Sequence, residues 1–490
     1  MTTETTEQDK RGSIVYLTGV CLVATLGGLL FGYDTAVISG AVGFLAERYS
    51  LDPAGIGWAV SSALVGCIIG VSIAGEVTDR LGRKQGLILA AALFFISAVG
   101  TALPRNLAEF VVYRIVGGVG VGIASMASPI YIAEISPAAI RGRMVSFNQL
   151  AIVLGMFVVY FVNYFVAGLG DHAWNVTNGW RWMFGSEAFP ALGLLVLMFF
   201  VPNSPRFLVK QGRTAEAFAV LERVGGTAHA KAEVAEIEQT IKMKSGTMRD
   251  LLQPGVRLLL VVGIALAVFQ QVTGINVFLY YAPEIFKKLG TDTDVALLQT
   301  IVVGGVNMLF TFVAIFTVDK IGRKPLMLAG FAGMGICLFS MGVSAYLENV
   351  NAWMLIFVLG YIACFATSVG PVTWVILSEI FPTKVRGRAL AIATFFLWTA
   401  NYVVSQTFPM MAENAYLQRE FHGGFPFWVY GALCVVSLVF VFYAIPETKG
   451  RSLEEIERSL GARGPRREDF AAVAPTSRAE DACFPEELEP

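Results

Sequence analysis

The stretch Asp79-Arg-Leu-Gly-Arg-Lys84 decides how this chain is read, because Asp319-Lys-Ile-Gly-Arg-Lys324 repeats it 240 positions later. Each copy is a short basic island between long apolar runs. After the first copy, Ala133-Glu-Ile-Ser-Pro137 is followed by Arg141-Gly-Arg143. After the second, Ser378-Glu-Ile-Phe-Pro382 is followed by Arg386-Gly-Arg388, and the two glutamates, Glu134 and Glu379, stand 245 positions apart. Pro202-Asn-Ser-Pro-Arg206 is answered in the same way by Pro446-Glu-Thr-Lys-Gly450. Three pairs at nearly one offset mark a duplication, which implies two halves built on one plan.

The apolar runs set the solvent. Of 490 residues, 55% are hydrophobic and 15% charged, and the mean hydropathy is +0.64, too apolar for soluble domains. A crossing helix needs about 20 apolar residues. Twelve segments qualify, at about 14–40, 57–78, 86–104, 108–132, 144–168, 182–201, 256–285, 296–318, 326–347, 352–378, 388–411 and 426–445. The fold expected is an all-α membrane protein with two pseudo-symmetric bundles of six helices, residues 14–201 and 256–445. A polar linker, 202–255, carries apolar residues at helical spacing and is expected to form short amphipathic helices. Residues 1–13 are a polar leader into a retained first helix, and 446–490 a tail expected to be mostly disordered.

Charge gives orientation. Lys10, Arg11, Arg80, Arg83, Lys84, Arg141, Arg143, Lys320, Arg323, Lys324, Lys384, Arg386 and Arg388 all fall in loops on one side, which places both termini in the cytoplasm of a cell whose inner membrane the chain spans. The net charge of -1 offers nothing to nucleic acid. The six cysteines show no paired spacing, so neither a disulfide framework nor a metal site is expected. No nucleophile and base, and no metal set, occurs at depth, which argues against an enzyme. Gly117-Gly-Val-Gly-Val-Gly122 lies inside a span and reads as a close-packing surface, not a dinucleotide loop.

The two GRK islands, the RGR motifs after spans 4 and 10, Gln270-Gln-Val-Thr-Gly-Ile-Asn276 and the Pro446-Glu-Thr-Lys-Gly450 motif together resemble the sugar porters of the major facilitator superfamily, most nearly their bacterial xylose:proton symporter branch. The resemblance covers about residues 14–455 and implies alternating access. Its cargo would be a monosaccharide, either a pentose such as xylose or a hexose such as glucose, moved with a proton or by facilitated diffusion. A non-transporting sugar sensor is a further alternative. Three positions depart from the family pattern: Met156 and Leu397 stand where the symporters carry glutamine, and Asn203 where the family carries glutamate.

A sugar ring presents hydroxyls around an apolar face, so its site needs amides and aromatic rings more than charges. Gln149, Gln270, Gln271, Asn276 and Asn307 are amides at membrane depth, and 271 to 276 is little more than one helical turn. Trp374 and Trp398 offer stacking surfaces, with Phe31 and Tyr280 to close the chamber. The resemblance assigns these positions, with Gly370, to the sugar site. Asp34 lies at depth in span 1, where an unpaired carboxylate costs about 2.5–3.5 kcal/mol. Arg114 in span 4 is its expected partner through two hydrogen bonds. Protonation of Asp34 would free Arg114 and let the halves rock. The alternative is a permanent ion pair joining spans 1 and 4. The resemblance favours coupling, since human-type facilitators commonly carry asparagine at that position. At the cytoplasmic ends, Arg83, Glu134, Arg141, Arg323, Glu379 and Arg386 are expected to form a gate of ion pairs. No cofactor is implied; the expected partners are sugar, proton and lipid, and the working unit a monomer.

Overall fold

The computed structural model describes residues 12–242, 248–288, 291–348, 352–382 and 384–449, apart from the side chains of Lys242, Pro254, Asp319 and Ala352. The expected disordered tail, beyond residue 449, lies outside the described residues, as do Lys10 and Arg11.

Among the described residues, twelve helices are long and apolar enough to cross a membrane, and the chain is a multi-pass membrane protein. They are span 1 (Ile14–Tyr49), span 2 (Pro53–Leu81), span 3 (Arg83–Ala102), span 4 (Leu107–Ile135), span 5 (Ala138–Ala167) and span 6 (His172–Phe200) in one half. The other half holds span 7 (Gly255–Tyr280), span 8 (Thr293–Val318), span 9 (Arg323–Tyr346), span 10 (Trp353–Ile380), span 11 (Arg386–Ala412) and span 12 (Phe425–Ala444). Span 1 runs nine residues beyond the expected 40, because Glu47 and Arg48 continue the helix where the apolar window ends. Its start is capped by Ser13, whose Oγ accepts the Tyr16 N–H at 3.2 Å, and span 2 by Asp52, with Pro53 in the first helical position.

The duplication is visible atom by atom. Gly82 and Gly322 join spans 2 to 3 and 8 to 9 with φ of 94° and 103°, a conformation that only glycine adopts without strain. Lys84 Nζ reaches the Phe199 carbonyl at 3.1 Å, and Lys324 Nζ the Phe442 carbonyl at 2.7 Å. Arg141 Nε donates to the Ser136 carbonyl at 3.3 Å, and Arg386 Nε to the Phe381 carbonyl at 3.2 Å.

Span 7 departs from expectation. Instead of one helix over 256–285, it stops at Val272, turns through Gly274 at φ 88°, and resumes as Ile275–Tyr280 and Ala282–Lys288. Spans 6 and 10 each widen by a π-turn, at Asn175–Gly179 and Phe365–Val369. Such irregular backbone is tolerated at membrane depth where protein rather than lipid surrounds it.

Small residues let helices touch backbone to backbone. Gly32 and Gly155 put span 1 against the Ile152 carbonyl and span 5 against the Leu29 carbonyl, with no room for a Cβ at either. The Gly117–Gly122 run does the same between spans 4 and 2, where Gly118 abuts the Ala63 carbonyl. The halves meet through spans 2 and 11, where Gln406 accepts from Ser61 Oγ at 2.8 Å and donates to the Ala54 carbonyl at 3.0 Å. They also meet where the Tyr160 hydroxyl of span 5 donates to the Leu279 carbonyl at 3.0 Å.

The linker forms helices Pro205–Lys210, Thr214–Gly225 and Thr227–Lys242 around a small core of Leu221, Ala230 and Ile237. It ties to the first half through Ser13 N–H to the Arg223 carbonyl at 2.9 Å, and to the segment before span 11 through Lys384 and Asp250 at 3.6 Å.

Candidate functional site

The break in span 7 builds the amide cluster. Because the chain turns at Gly274, Asn276 folds back onto Gln271, and its Nδ2 donates to Gln271 Oε1 at 2.5 Å. Gln271 Nε2 in turn donates to Gln270 Oε1 at 3.2 Å, and Gln270 Nε2 to the Gly370 carbonyl of span 10 at 2.8 Å. Three amides and one backbone carbonyl thus form a single chain, each buried. The regular helix assumed from the spacing of 271 and 276 is replaced by a hinge, and the hinge makes the contact.

The expected aromatic residues lie on spans 1, 7, 10 and 11. Phe31 of span 1 and Trp398 of span 11 meet with ring centroids 5.5 Å apart, one from each half. The Trp398 Nε1–H is buried with no hydrogen-bond partner. Tyr280 is buried, and its hydroxyl is hydrogen-bonded to the side chain of Asn401. Asn401 is an amide that the sequence reading passed over, although it sits one turn beyond Trp398 on the same helix. Trp374, one turn after Gly370, is 39% exposed and half uncovered. Asn307 is buried on span 8, one turn from Gly304, whose position is packed by Tyr160 of span 5. Gln149 is half-buried on span 5, with no contact that ties it to the amide chain; its neighbour Asn148 is instead held by Ser128 at 2.7 Å. Met156 and Leu397, which replace amides of the family pattern, are both buried.

The charged centre lies in the first half. Asp34 and Arg114 are each 1% exposed at the side chain and pair at 3.0 Å. The expected two-pronged grip is not formed. Arg114 Nη1 serves both the Asp34 carboxylate and the Asp34 backbone carbonyl, the latter at 3.1 Å, while Arg114 Nε and Asp34 Oδ2 stay without partners. The guanidinium also covers the Phe184 ring, 5.4 Å from its centroid. A second buried acid, absent from the sequence reading, completes the centre: Glu187, 1% exposed, lies beside the Asp34 carboxyl. The adjoining residues fix that approach, since the Tyr33 hydroxyl meets Ser186 Oγ at 2.7 Å. An acid inside the apolar stretch 182–201 was the available signal. Two carboxyls and one guanidinium in a dry site balance only when the acids share one proton between them.

At the Gly82/Gly322 end, both glutamates pair within their own half. Arg83 meets Glu134 at 3.0 Å, and Arg323 meets Glu379 at 3.0 Å, with Thr448 adding a hydrogen bond to Glu379. Arg141 turns to the linker and pairs with Glu233 at 3.1 Å. That partner is remote in sequence, and lies on the linker helix Thr227–Lys242.

Known proteins carry the same pattern. The family described as sugar (and other) transporters matches residues 20–460. The D-xylose-proton symporter of Escherichia coli strain K12 is 50% identical over 468 residues, covering 90% of this chain and 95% of the relative. The arabinose-proton symporter of Bacillus subtilis is 43% identical over 441 residues, covering 90% and 94%. Among solved structures, the inward-open xylose transporter of Escherichia coli superposes with a TM-score of 0.80 at 46% identity, covering 90% of this chain and 99% of that one. With the repeated GRK and RGR islands, the hinged seventh span and a matched length of this extent, the chain belongs to the sugar (and other) transporter family of the major facilitator superfamily.

Proposed function

We propose that the chain imports a monosaccharide together with a proton by alternating access, with a pentose such as xylose as first candidate cargo. The observation that carries this reading is the buried Asp34–Arg114 pair with Glu187 against it. A permanent structural pair needs one acid and one base; a second acid beside them makes sense where a proton comes and goes. In the empty, deprotonated state Asp34 holds Arg114. A proton on Asp34 removes the charge that Arg114 balances, loosens span 1 from span 4, and lets the bundles 14–201 and 256–445 rock about the linker 202–255.

The sugar hydroxyls would exchange the amide-to-amide bonds of Gln270, Gln271 and Asn276 for bonds to themselves, with the unpartnered Trp398 N–H, Asn307 and Gln149 as further donors. Trp374, Phe31 and Trp398 would cover the ring faces. Tyr280 closes the hinge side, and Gly370 supplies a carbonyl and the space for approach. Met156 and Leu397 remove two polar contacts, which leaves open a different pentose or a hexose as cargo. When the cavity closes on the other side, Glu134 and Glu379 would exchange partners with Arg141 and Arg386, so that pairs now within halves tie the two halves together with Arg83 and Arg323. The working orientation has both termini in the cytoplasm, in the plasma (inner) membrane, as a monomer.

Uptake of labelled D-xylose, L-arabinose and D-glucose into proteoliposomes, with and without an imposed pH gradient, tests the reading. Symport predicts uphill accumulation with external alkalinisation. Asp34→Asn should abolish accumulation and leave exchange. Equal accumulation with and without the gradient would reduce the protein to a facilitator.

A further inference from the structure

Ser97 of span 3 is 1% exposed, and its hydroxyl has no hydrogen-bond partner. Two buried hydroxyls nearby are satisfied on their own helix: Thr101 Oγ1 donates to the Ser97 carbonyl at 2.7 Å, and Thr78 Oγ1 to the Ala74 carbonyl at 2.8 Å. Ser97 turns away from that option and toward span 4. There it faces Gly117, where an added Cβ would collide with Ser97 Oγ and stand 3.1 Å from Asp34 Oδ1. The missing side chain at Gly117 therefore leaves an opening with the Ser97 hydroxyl on one side and the Asp34 carboxylate on the other. Asp34 Oδ2, Arg114 Nε and Glu187 Oε1 also lack partners. Unmatched polar atoms gathered at one buried centre are unusual, and a group idle in one state gains its partner in another.

We propose that Ser97 is a positioning residue of the proton switch: when Asp34 is protonated and leaves Arg114, the Ser97 hydroxyl engages the Asp34 carboxyl across Gly117, directly or through one water. The inference rests on Asp34 being the proton carrier. The proton enters on Asp34, Arg114 keeps its charge throughout, and Ser97 neither gains nor loses a proton; it accepts from the neutral acid, beside Glu187 on the other side. The titratable groups that act electrostatically on Asp34 are Arg114 from span 4, Glu187 from span 6, Cys67 from span 2 and Tyr280 from span 7. Ser97 is the polar group that span 3 contributes.

The test measures uphill D-xylose uptake by the full-length protein in proteoliposomes as a function of external pH, for Ser97→Ala, Ser97→Thr, Gly117→Ala and Asp34→Asn. Losing the partner of the protonated acid makes protonation harder, so Ser97→Ala moves the midpoint of uptake toward acid by about 0.5 to 1 pH unit. Ser97→Thr restores the wild-type midpoint. Gly117→Ala, which places a methyl between the two oxygens, moves the midpoint the same way with the serine intact. A merely structural role would lower the rate at every pH and leave the midpoint in place. An unmoved midpoint in Ser97→Ala, or one that threonine does not restore, overturns the proposal. Should Asp34→Asn still accumulate sugar uphill, the carrier reading itself falls, whatever Ser97 does.

Discussion

Asn203→Glu asks whether the two halves share their fine structure as well as their helix count. In the second half, Glu447 closes the N-terminus of span 9: its carboxylate accepts the backbone N–H groups of Arg323 and Lys324 at 3.1 Å each, and that of Lys449 at 2.8 Å. Span 3 begins at Gly82 with no side-chain cap, because the matching position is Asn203. The surrounding cradle is otherwise alike, with ψ of 159° at Gly82 and 160° at Gly322 and the same lysine-to-carbonyl strap behind each. A cap at an open helix start is worth about 0.5–2 kcal/mol, and a carboxylate there adds about 0.3–1 kcal/mol from the helix dipole. Discounted for partial exposure, Asn203→Glu should stabilise by about 1 kcal/mol and Glu447→Asn destabilise by about 1–2 kcal/mol. The assay is the fraction of purified protein that stays monodisperse in detergent after heating. Burial pushes the Glu447 carboxyl up, but hydrogen bonds from the backbone of Lys449, Arg323, Lys324 and Thr448 outweigh it and hold the group below its ordinary 4.5. A carboxyl lowered in the folded state contributes stability above its ordinary value and loses it as pH falls through the lowered one. The Glu447→Asn penalty should therefore be full at neutral pH and shrink below 4.5. A penalty that persists unchanged in acid, or an Asn203→Glu protein no more heat-resistant than its parent, would refute the cap and the equivalence.

Two further outcomes follow from contacts already described. Gln270→Leu removes the bond to the Gly370 carbonyl and leaves Gln271 without its acceptor, so the KM for the preferred sugar should rise about tenfold, equivalent to about 1.4 kcal/mol, with a smaller change in the maximal rate. An unaltered KM would remove the amide chain from the sugar site. Gln406→Leu cuts two hydrogen bonds between spans 2 and 11, each worth about 1 kcal/mol, and should shift the population toward separation at that end by about thirtyfold. The reading is the labelling rate of a cysteine introduced at Ala54, and an unchanged rate would mean that the contact does not hold the halves closed.

Sequence placed the helices well because length and hydropathy settle them with no partner involved. The repeat likewise aligns Arg83 with Arg323 and Glu134 with Glu379 before any contact is known. Pairings between distant elements were a different matter. Arg141 was assigned to the gate by its motif, yet in this conformation it serves Glu233 of the linker, 92 positions away. No local rule links these two residues.

The amide cluster and the charged centre show why the remaining gaps fell where the helices are irregular. A regular helix lets spacing be converted into faces, and that conversion was applied to Gln271 and Asn276. It breaks down at Gly274, whose left-handed turn brings the two amides together by folding the chain back. Glu187 was overlooked for a related reason: it belongs to a span interrupted by a π-turn and a helix restart, so its facing toward Asp34 could not be read from periodicity. Carriers need backbone that can bend where cargo and proton bind, and bending is what defeats a reading built on helical period. A residue such as Ser97, on an unbroken helix and with an unspent hydroxyl, marks the opposite case. Its position was legible, but its role depends on Gly117 of another span leaving the way to Asp34 open.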